Sequence, residues 1–245
     1  MSKITQTNRD EAEFAKPLFV PIKRRSFFMY AGATAGATAL LLSGCGDDDD
    51  DNPSVPGMVS VGSGDVGVLN YAYALEQLEA AFYTKLRDGA YYKGLGATSA
   101  EKQILDDLYY HEVIHREFFK AAITGAKATP IQDLTPDFST VKFDDRASVL
   151  GTAKAFEDLG VAAYNGAGKY ITTPLYLVIA GKIVSVEARH AAIIRDLVTE
   201  ASFIDSDVVK IATDGTEISK EPSVVVATAN MFLAAGSKLD VSGIK

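Results

Sequence analysis

The chain has no tryptophan and a single cysteine among its 245 residues. One cysteine cannot close an intrachain disulfide, so a disulfide-stapled scaffold is excluded, as are cysteine-rich zinc and iron–sulfur sites. Positive charge is also short. Lys and Arg number 24 against 32 Asp and Glu, a net charge of −8, and no basic cluster occurs outside the N-terminal stretch. A nucleic acid is therefore not expected as a partner. Histidine is scarcer still, with three in the chain. What is plentiful is apolar: 47% of residues are hydrophobic, enough for a full core in one or two domains.

Residues 1–45 read as a targeting segment rather than as fold. Lys23-Arg24-Arg25-Ser26-Phe27-Phe28 resembles a twin-arginine export signal, without the usual Ser or Thr before the arginine pair. An apolar run follows and ends at Leu42-Ser43-Gly44-Cys45, which resembles a bacterial lipobox. The resemblance implies export to the periplasm or cell envelope, with Cys45 acylated and holding the protein to a membrane. A membrane anchor helix or a chance free cysteine are the other readings, but the run is short against the about 20 residues that a spanning helix needs. Five aspartates, Asp47 to Asp51, and a Pro- and Gly-containing stretch then read as a solvated tether over residues 46–64.

The chemistry starts at Glu112-x-x-His115. Positions i and i+3 of a helix share a face, so this carboxylate and imidazole point the same way. That face reads Leu105, Leu108, Glu112, His115, Phe119, Ala122, an apolar stripe with two polar groups in its middle. Such a stripe faces the core, where an unpaired carboxylate is costly unless a cation compensates it. One copy is a weak signal. A second copy, Glu187-x-x-His190, lies on the stripe Ile183, Glu187, His190, Ile194, Leu197 and uses another of the three histidines. Each copy follows a helix with one inward glutamate and a tyrosine seven residues on: Glu76 with Tyr83, and Glu157 with Tyr164. Four carboxylates and two imidazoles on four helices are the ligand pattern of ferritin-like di-iron and di-manganese bundles, and their charge balances two divalent ions.

Glu79 lies one turn from Glu76 on nearly the same face. The repeat favours Glu76, because Glu76 to Tyr83 mirrors Glu157 to Tyr164 while Glu79 mirrors Gly160. Glu79 is then a neighbour that supports the ligands or shifts among them. Tyr83 and Tyr164 either hydrogen-bond a ligating carboxylate or are interior aromatics with some other partner; the residues leave that open. His111 precedes Glu112, points roughly 100° away from it, and reads as an outer-face residue.

The predicted architecture is all-α, a ferritin-like four-helix bundle over residues 65–201 with a C-terminal extension over residues 202–245. The first helix starts near Asp65 as N-cap and ends before Gly89. Thr98-Ser99-Ala100-Glu101 reads as a capping box opening the second helix, which Gly125 ends. A long irregular connection with Pro130 and Pro136 leads to the third helix, residues 146–169. Thr173-Pro174 opens the fourth helix, which runs to about Glu200. Two short links and one long crossover are the ferritin-like connectivity. In the extension, a small hairpin around Asp214-Gly215 precedes a short helix from Pro222, whose apolar face is expected to cover the bundle.

Residues about 65–235 resemble the bacterial ferritin-like domain family related to plant desiccation-associated proteins. The similarity is carried by Leu69-Asn70-Tyr71-Ala72 through Ala80-Ala81-Phe82-Tyr83, and by Glu157-Asp158-x-Gly160-Val161-x-x-Tyr164. It implies the ligands that spacing also picks out: Glu76, Glu112, His115, Glu157, Glu187 and His190. Carboxylate-rich sites with one imidazole per ion suit iron or manganese and leave positions open for oxygen species. The leading expectation is redox chemistry on O2 or peroxide, peroxidase- or catalase-like, in protection against oxidative stress. Iron storage without turnover is a second reading, although a lipid anchor and a C-terminal extension sit awkwardly with a cage. A structural or desiccation-stress envelope protein is a third. The oligomeric state is open, with a dimer as one option.

Overall fold

A computed structural model describes residues 55–245. The twin-arginine-like stretch, Cys45 and the aspartate run lie outside the described residues. The architecture is the all-α bundle expected: α1 (Gly64–Asp88), α2 (Ala90–Gly94), α3 (Ala100–Gly125), α4 (Arg146–Ala167), α5 (Pro174–Val198) and α6 (Pro222–Ala229). Two-residue strands β1 (Val59–Ser60) and β2 (Leu239–Asp240) pair in parallel and join the two ends of the described chain. Among the described residues, no helix is long and apolar enough to cross a membrane.

The central helix is α1, in which every residue from Gly67 to Ala80 is buried. It packs on α3 while α4 packs on α5, so the repeat legible in the sequence is also the unit of packing. α1 and α4 run in opposite directions. Tyr83, two turns beyond Glu76, meets Glu157, whereas Tyr164, two turns beyond Glu157, meets Glu76. Only an antiparallel pair brings both matches about.

The long connection between α3 and α4 lies along α1, held by two buried amides two turns apart. Asn70 Oδ1 accepts from the Ile131 amide at 3.0 Å, and Gln77 Oε1 accepts from the Leu134 amide at 2.8 Å. Polar side chains inside an apolar helix thus satisfy the backbone of a segment that has no ladder of its own. An aromatic cluster seals this side: the Phe82 ring lies 5.9 Å from Phe138 and 5.2 Å from Phe156, and Phe156 lies 4.7 Å from Phe232.

Several boundaries differ from expectation, and at Asp65 and Glu101 the reason is a side chain that finds a tertiary partner. The N-cap of α1 is Ser63 rather than Asp65. Asp65 instead accepts from the amides of Thr172 and Thr173 at 2.7 and 2.9 Å, just ahead of α5. Thr173 is the N-cap of α5, with Pro174 opening the helix, but its side chain makes no cap bond. The N-cap of α3 is Ser99, whose hydroxyl accepts from Lys102, and not Thr98. Glu101 does not close a capping box, because Arg146 holds it in a two-pronged pair at 2.9 and 3.0 Å. α4 ends at Ala167 in a 3-10 turn over Gly168–Tyr170.

The extension lies against α4 and α5. Its hairpin is reduced to one antiparallel bridge, Val209 with Glu217, with Gly215 at φ 69° in the turn. Val225, Val226 and Ala229 of α6 are buried. Arg195 of α5 binds Asp158 of α4 through two nitrogens at 2.7 and 2.8 Å and Asp207 at 2.8 Å, tying the extension to both helices. Lys220 donates its amide to Ala162 O at 3.0 Å, and the chain can lie this close because residue 166 is glycine. A β-carbon there would stand 1.8 Å from Lys220 O. Gly166→Ala is expected to cost about 1–3 kcal/mol or more through overpacking. Gly151→Ala, on the same helix with open space around it, is expected to gain about 0.5–1 kcal/mol. Urea midpoints read both; a shift in the same direction for the two variants would mean that the extension is not seated on α4.

Candidate metal centre

The six expected ligands converge. Glu76, Glu112, Glu157 and Glu187 are wholly buried, and His115 and His190 are 9% and 3% exposed. They form two groups that share two members: Glu76, Glu112, His115 and Glu187, and Glu112, Glu157, Glu187 and His190. In each group the ligand atoms lie within 4.8 Å of one another.

The sharing is atom by atom. His115 Nδ1 lies 2.7 Å from Glu187 Oε1, 3.5 Å from Glu76 Oε2 and 3.6 Å from Glu112 Oε2. His190 Nδ1 lies 2.8 Å from Glu112 Oε1, 3.2 Å from Glu187 Oε2 and 3.5 Å from Glu157 Oε2. Each Glu-x-x-His glutamate therefore turns one oxygen toward each imidazole. Glu112 and Glu187 stand between the two groups, while Glu76 and Glu157 each serve one.

These atoms fit a cation better than they fit one another. Glu76 Oε2, both oxygens of Glu112, Glu157 Oε2, Glu187 Oε1 and His115 Nδ1 are buried with no hydrogen-bond partner. His115 Nδ1 and Glu187 Oε1 are close enough for a hydrogen bond but not aligned for one. Buried lone pairs aimed at a common point, with no protein donor to meet them, are what metal ligands look like. Each such atom left unmet carries a desolvation cost of about 1–3 kcal/mol. The buried acidic and imidazole cluster could thus bind metal.

The tyrosines settle a choice that the residues left open. Tyr83 donates to Glu157 Oε1 at 2.5 Å, and Tyr164 donates to Glu76 Oε1. Both therefore hold carboxylates of the cluster, each the one from the other repeat. Each hydroxyl takes one oxygen and leaves the second, Oε2, turned inward.

Glu79 stays outside both groups. It is buried against Gly160, its Oε1 3.1 Å from where a β-carbon would stand there. The two repeat positions that differ in sequence thus face each other, and the carboxyl uses the room that glycine leaves. Burial, then the charges of Glu112 and Glu157, push the Glu79 carboxyl well above its ordinary range.

His111 is where sequence reasoning fell short. It is exposed, as expected of an outer-face residue. Yet its Nδ1 lies 2.8 Å from His190 Nε2, and the two rings stack at 5.0 Å. Because His190 Nδ1 faces the carboxylates, the Nε2–H is assigned as the donor and His111 as the acceptor. Burial, then the neighbouring His190 and His115, lower the His111 pKa, which keeps it a neutral acceptor. The signal in the sequence was its place beside Glu112; which imidazole it would meet depends on α5.

Without a metal, the imidazoles themselves serve as the cations. Burial pulls His115 down, but Glu112, Glu187 and Glu76 outweigh it and push it up to about 12. His190 rises likewise, against burial, through Glu157, Glu112 and Glu187. Burial raises Glu112 and Glu157, more than their imidazole neighbours lower them. Burial also opposes ionisation of Glu187, but His115 and His190 hold it down at about 2.

Two predictions follow from this balance. Above about pH 4.5, the unfolded carboxylate value, Glu112 and Glu157 carry more protons folded than unfolded; above about pH 6.5 the two imidazoles do also. Stability of the metal-free protein should therefore fall as pH rises from 5 to 8. The Glu187 contribution is already complete by then, being lost only as pH falls toward 2. Metal needs deprotonated ligands, so the gap in melting temperature between metal-bound and metal-free protein should widen over the same range. A constant gap would mean that these groups are not the ligands. Secondly, His111→Ala should weaken metal affinity about 10–100-fold by releasing the His190 ring, with His111→Gln, which keeps an acceptor, closer to the parent in a chelator competition titration.

No curated protein matches this chain. The family model of the ferritin-like domain matches residues 64–200, from the first residue of α1 to just past the end of α5, which is more than half of the 245 residues. That match spans all six converging side chains, and the chain belongs to the ferritin-like domain family.

Proposed function

We propose that the protein is an exported, lipid-anchored di-metal protein that carries out redox chemistry on dioxygen or peroxide. The observation that carries this reading is the set of buried, unpartnered ligand atoms on Glu76, Glu112, His115, Glu157, Glu187 and His190. Six side chains in two overlapping groups suit two divalent ions, with Glu112 and Glu187 between them. A donor set of carboxylate oxygens with one imidazole nitrogen per ion suits iron or manganese. Bound there, such ions would exchange electrons with an oxygen species.

The remaining work falls to the chain's own groups. Tyr83 and Tyr164 hold the outer carboxylates by Oε1 and orient Oε2 inward. His111 holds His190 by Nε2, so that Nδ1 presents its lone pair to the centre. Glu79, whose carboxyl burial and then its acidic neighbours push well above its ordinary range, stands beside the centre as a group able to hold a proton. The apolar packing of α1 and α4 keeps bulk water from the carboxylates. Export and lipidation rest on Arg24, Arg25 and Cys45, and an envelope location suits a protein that meets oxidants from outside.

The test is elemental analysis of protein purified from its native host, followed by exposure of the reduced, metal-loaded form to each oxidant. Two ions of iron or manganese per chain are expected. Glu112→Gln keeps the side-chain shape but withdraws the charge between the two groups, and should lose both ions rather than one. Zinc as the native metal, or full metal content in Glu112→Gln, would overturn the proposal.

A further inference from the structure

Toward the end of the bundle where α1 and α5 begin and α3 and α4 finish, the packing leaves an apolar cavity of about 30 Å³. It shares a wall with the metal centre. Tyr164 lines it, and the same side chain donates to Glu76. Phe119, one turn past His115 on α3, lies beside that ring at 6.2 Å and lines the cavity too. The space exists because small residues, among them Ala72 of α1 and Ala122 of α3, meet where larger ones would close it.

Its size and chemistry restrict what it can hold. A volume near 30 Å³ exceeds the roughly 10–15 Å³ that a water needs, but a buried water also needs about two to four polar partners. The one buried side-chain polar atom on this wall without a partner is the hydroxyl of Tyr71, itself 1% exposed. Hydrocarbon and aromatic surfaces with so few polar groups make this a poor site for water. It is poorer for hydrogen peroxide, whose two O–H donors and several lone pairs would go largely unmet. A small apolar diatomic with weak acceptor atoms fits.

We propose that this cavity is a docking pocket for dioxygen, from which the gas reaches the metal centre past Tyr164. The inference rests on the reading of that centre as an oxygen-reactive metal site, and it selects dioxygen over peroxide as the oxidant the fold is shaped to admit. Ala122 is half-buried on the rim, so Ala122→Leu can fill the cavity without forcing α1 and α4 apart. Leu69→Ala enlarges the same cavity from α1.

The probe is xenon, an apolar atom of similar bulk, in pressurised crystals of the iron-reconstituted protein. Oxidation of the ferrous form by dioxygen and by hydrogen peroxide is followed in parallel. One xenon is expected between Ala72, Phe119 and Tyr164. Ala122→Leu should lose the xenon, keep its iron and react about tenfold more slowly with dioxygen, while its oxidation by peroxide stays unchanged. Leu69→Ala should keep or raise xenon occupancy. An ordered water on Tyr71 in place of xenon, or equal slowing of both oxidants in Ala122→Leu, overturns the proposal. Absent xenon with normal oxidation by dioxygen sinks the cavity alone. Iron that neither oxidant changes sinks the redox reading, and this proposal with it.

Discussion

Four carboxylates buried in two overlapping groups, the ligand atoms of each within 4.8 Å of one another, form the constraint from which the rest of this structure follows. At short range in a poorly polarisable interior their mutual repulsion is large, and burial alone already opposes their ionisation. The fold meets this with two imidazoles turned inward by Nδ1 and two tyrosine hydroxyls that each take one oxygen. What is left unmet is a set of lone pairs aimed at common points, which leaves the last part of the compensation to a cation.

The two halves of the bundle repeat one plan but are not equal. Where one repeat carries Glu79, the other carries Gly160, and the two positions meet face to face. Where one carries His111 before its Glu-x-x-His, the other carries Val186. The ligand sets on either side of Glu112 and Glu187 match, but their surroundings do not: His190 has a second imidazole behind it, exposed to solvent. The departures from symmetry lie around the ligands rather than among them.

The segments outside the four long helices have a definite part in holding the centre. The crossover is ordered by Asn70 and Gln77, which sit on the helix that carries Glu76. The extension is anchored by Arg195, on the helix that carries Glu187 and His190, and by the close approach of Lys220 to Gly166 on the helix that carries Glu157. Elements that bring no ligand thus fix the three helices on which ligands must stay in register.

Much of the bundle and of the candidate site was legible along the chain, because both depend on local geometry. The 3.6-residue period put each Glu and His of a Glu-x-x-His on one apolar face before any partner was known. The internal repeat chose Glu76 over Glu79. Glycine, proline and capping residues placed the helix ends to within a few residues. Relations between helices were not legible. That Glu112 and Glu187 stand between the two groups, that each tyrosine holds the glutamate of the other repeat, and that His111 meets His190 all depend on the antiparallel packing of α1 against α4 and on the placement of α5 against α3. The same holds for Asp65 and Glu101, which read as cap residues and were drawn off by Thr172, Thr173 and Arg146. A helix face is set by the pitch of its own backbone, so the sequence alone determines which groups turn inward. Which inward groups meet is set by how the chain returns on itself, and only the tertiary structure decides it.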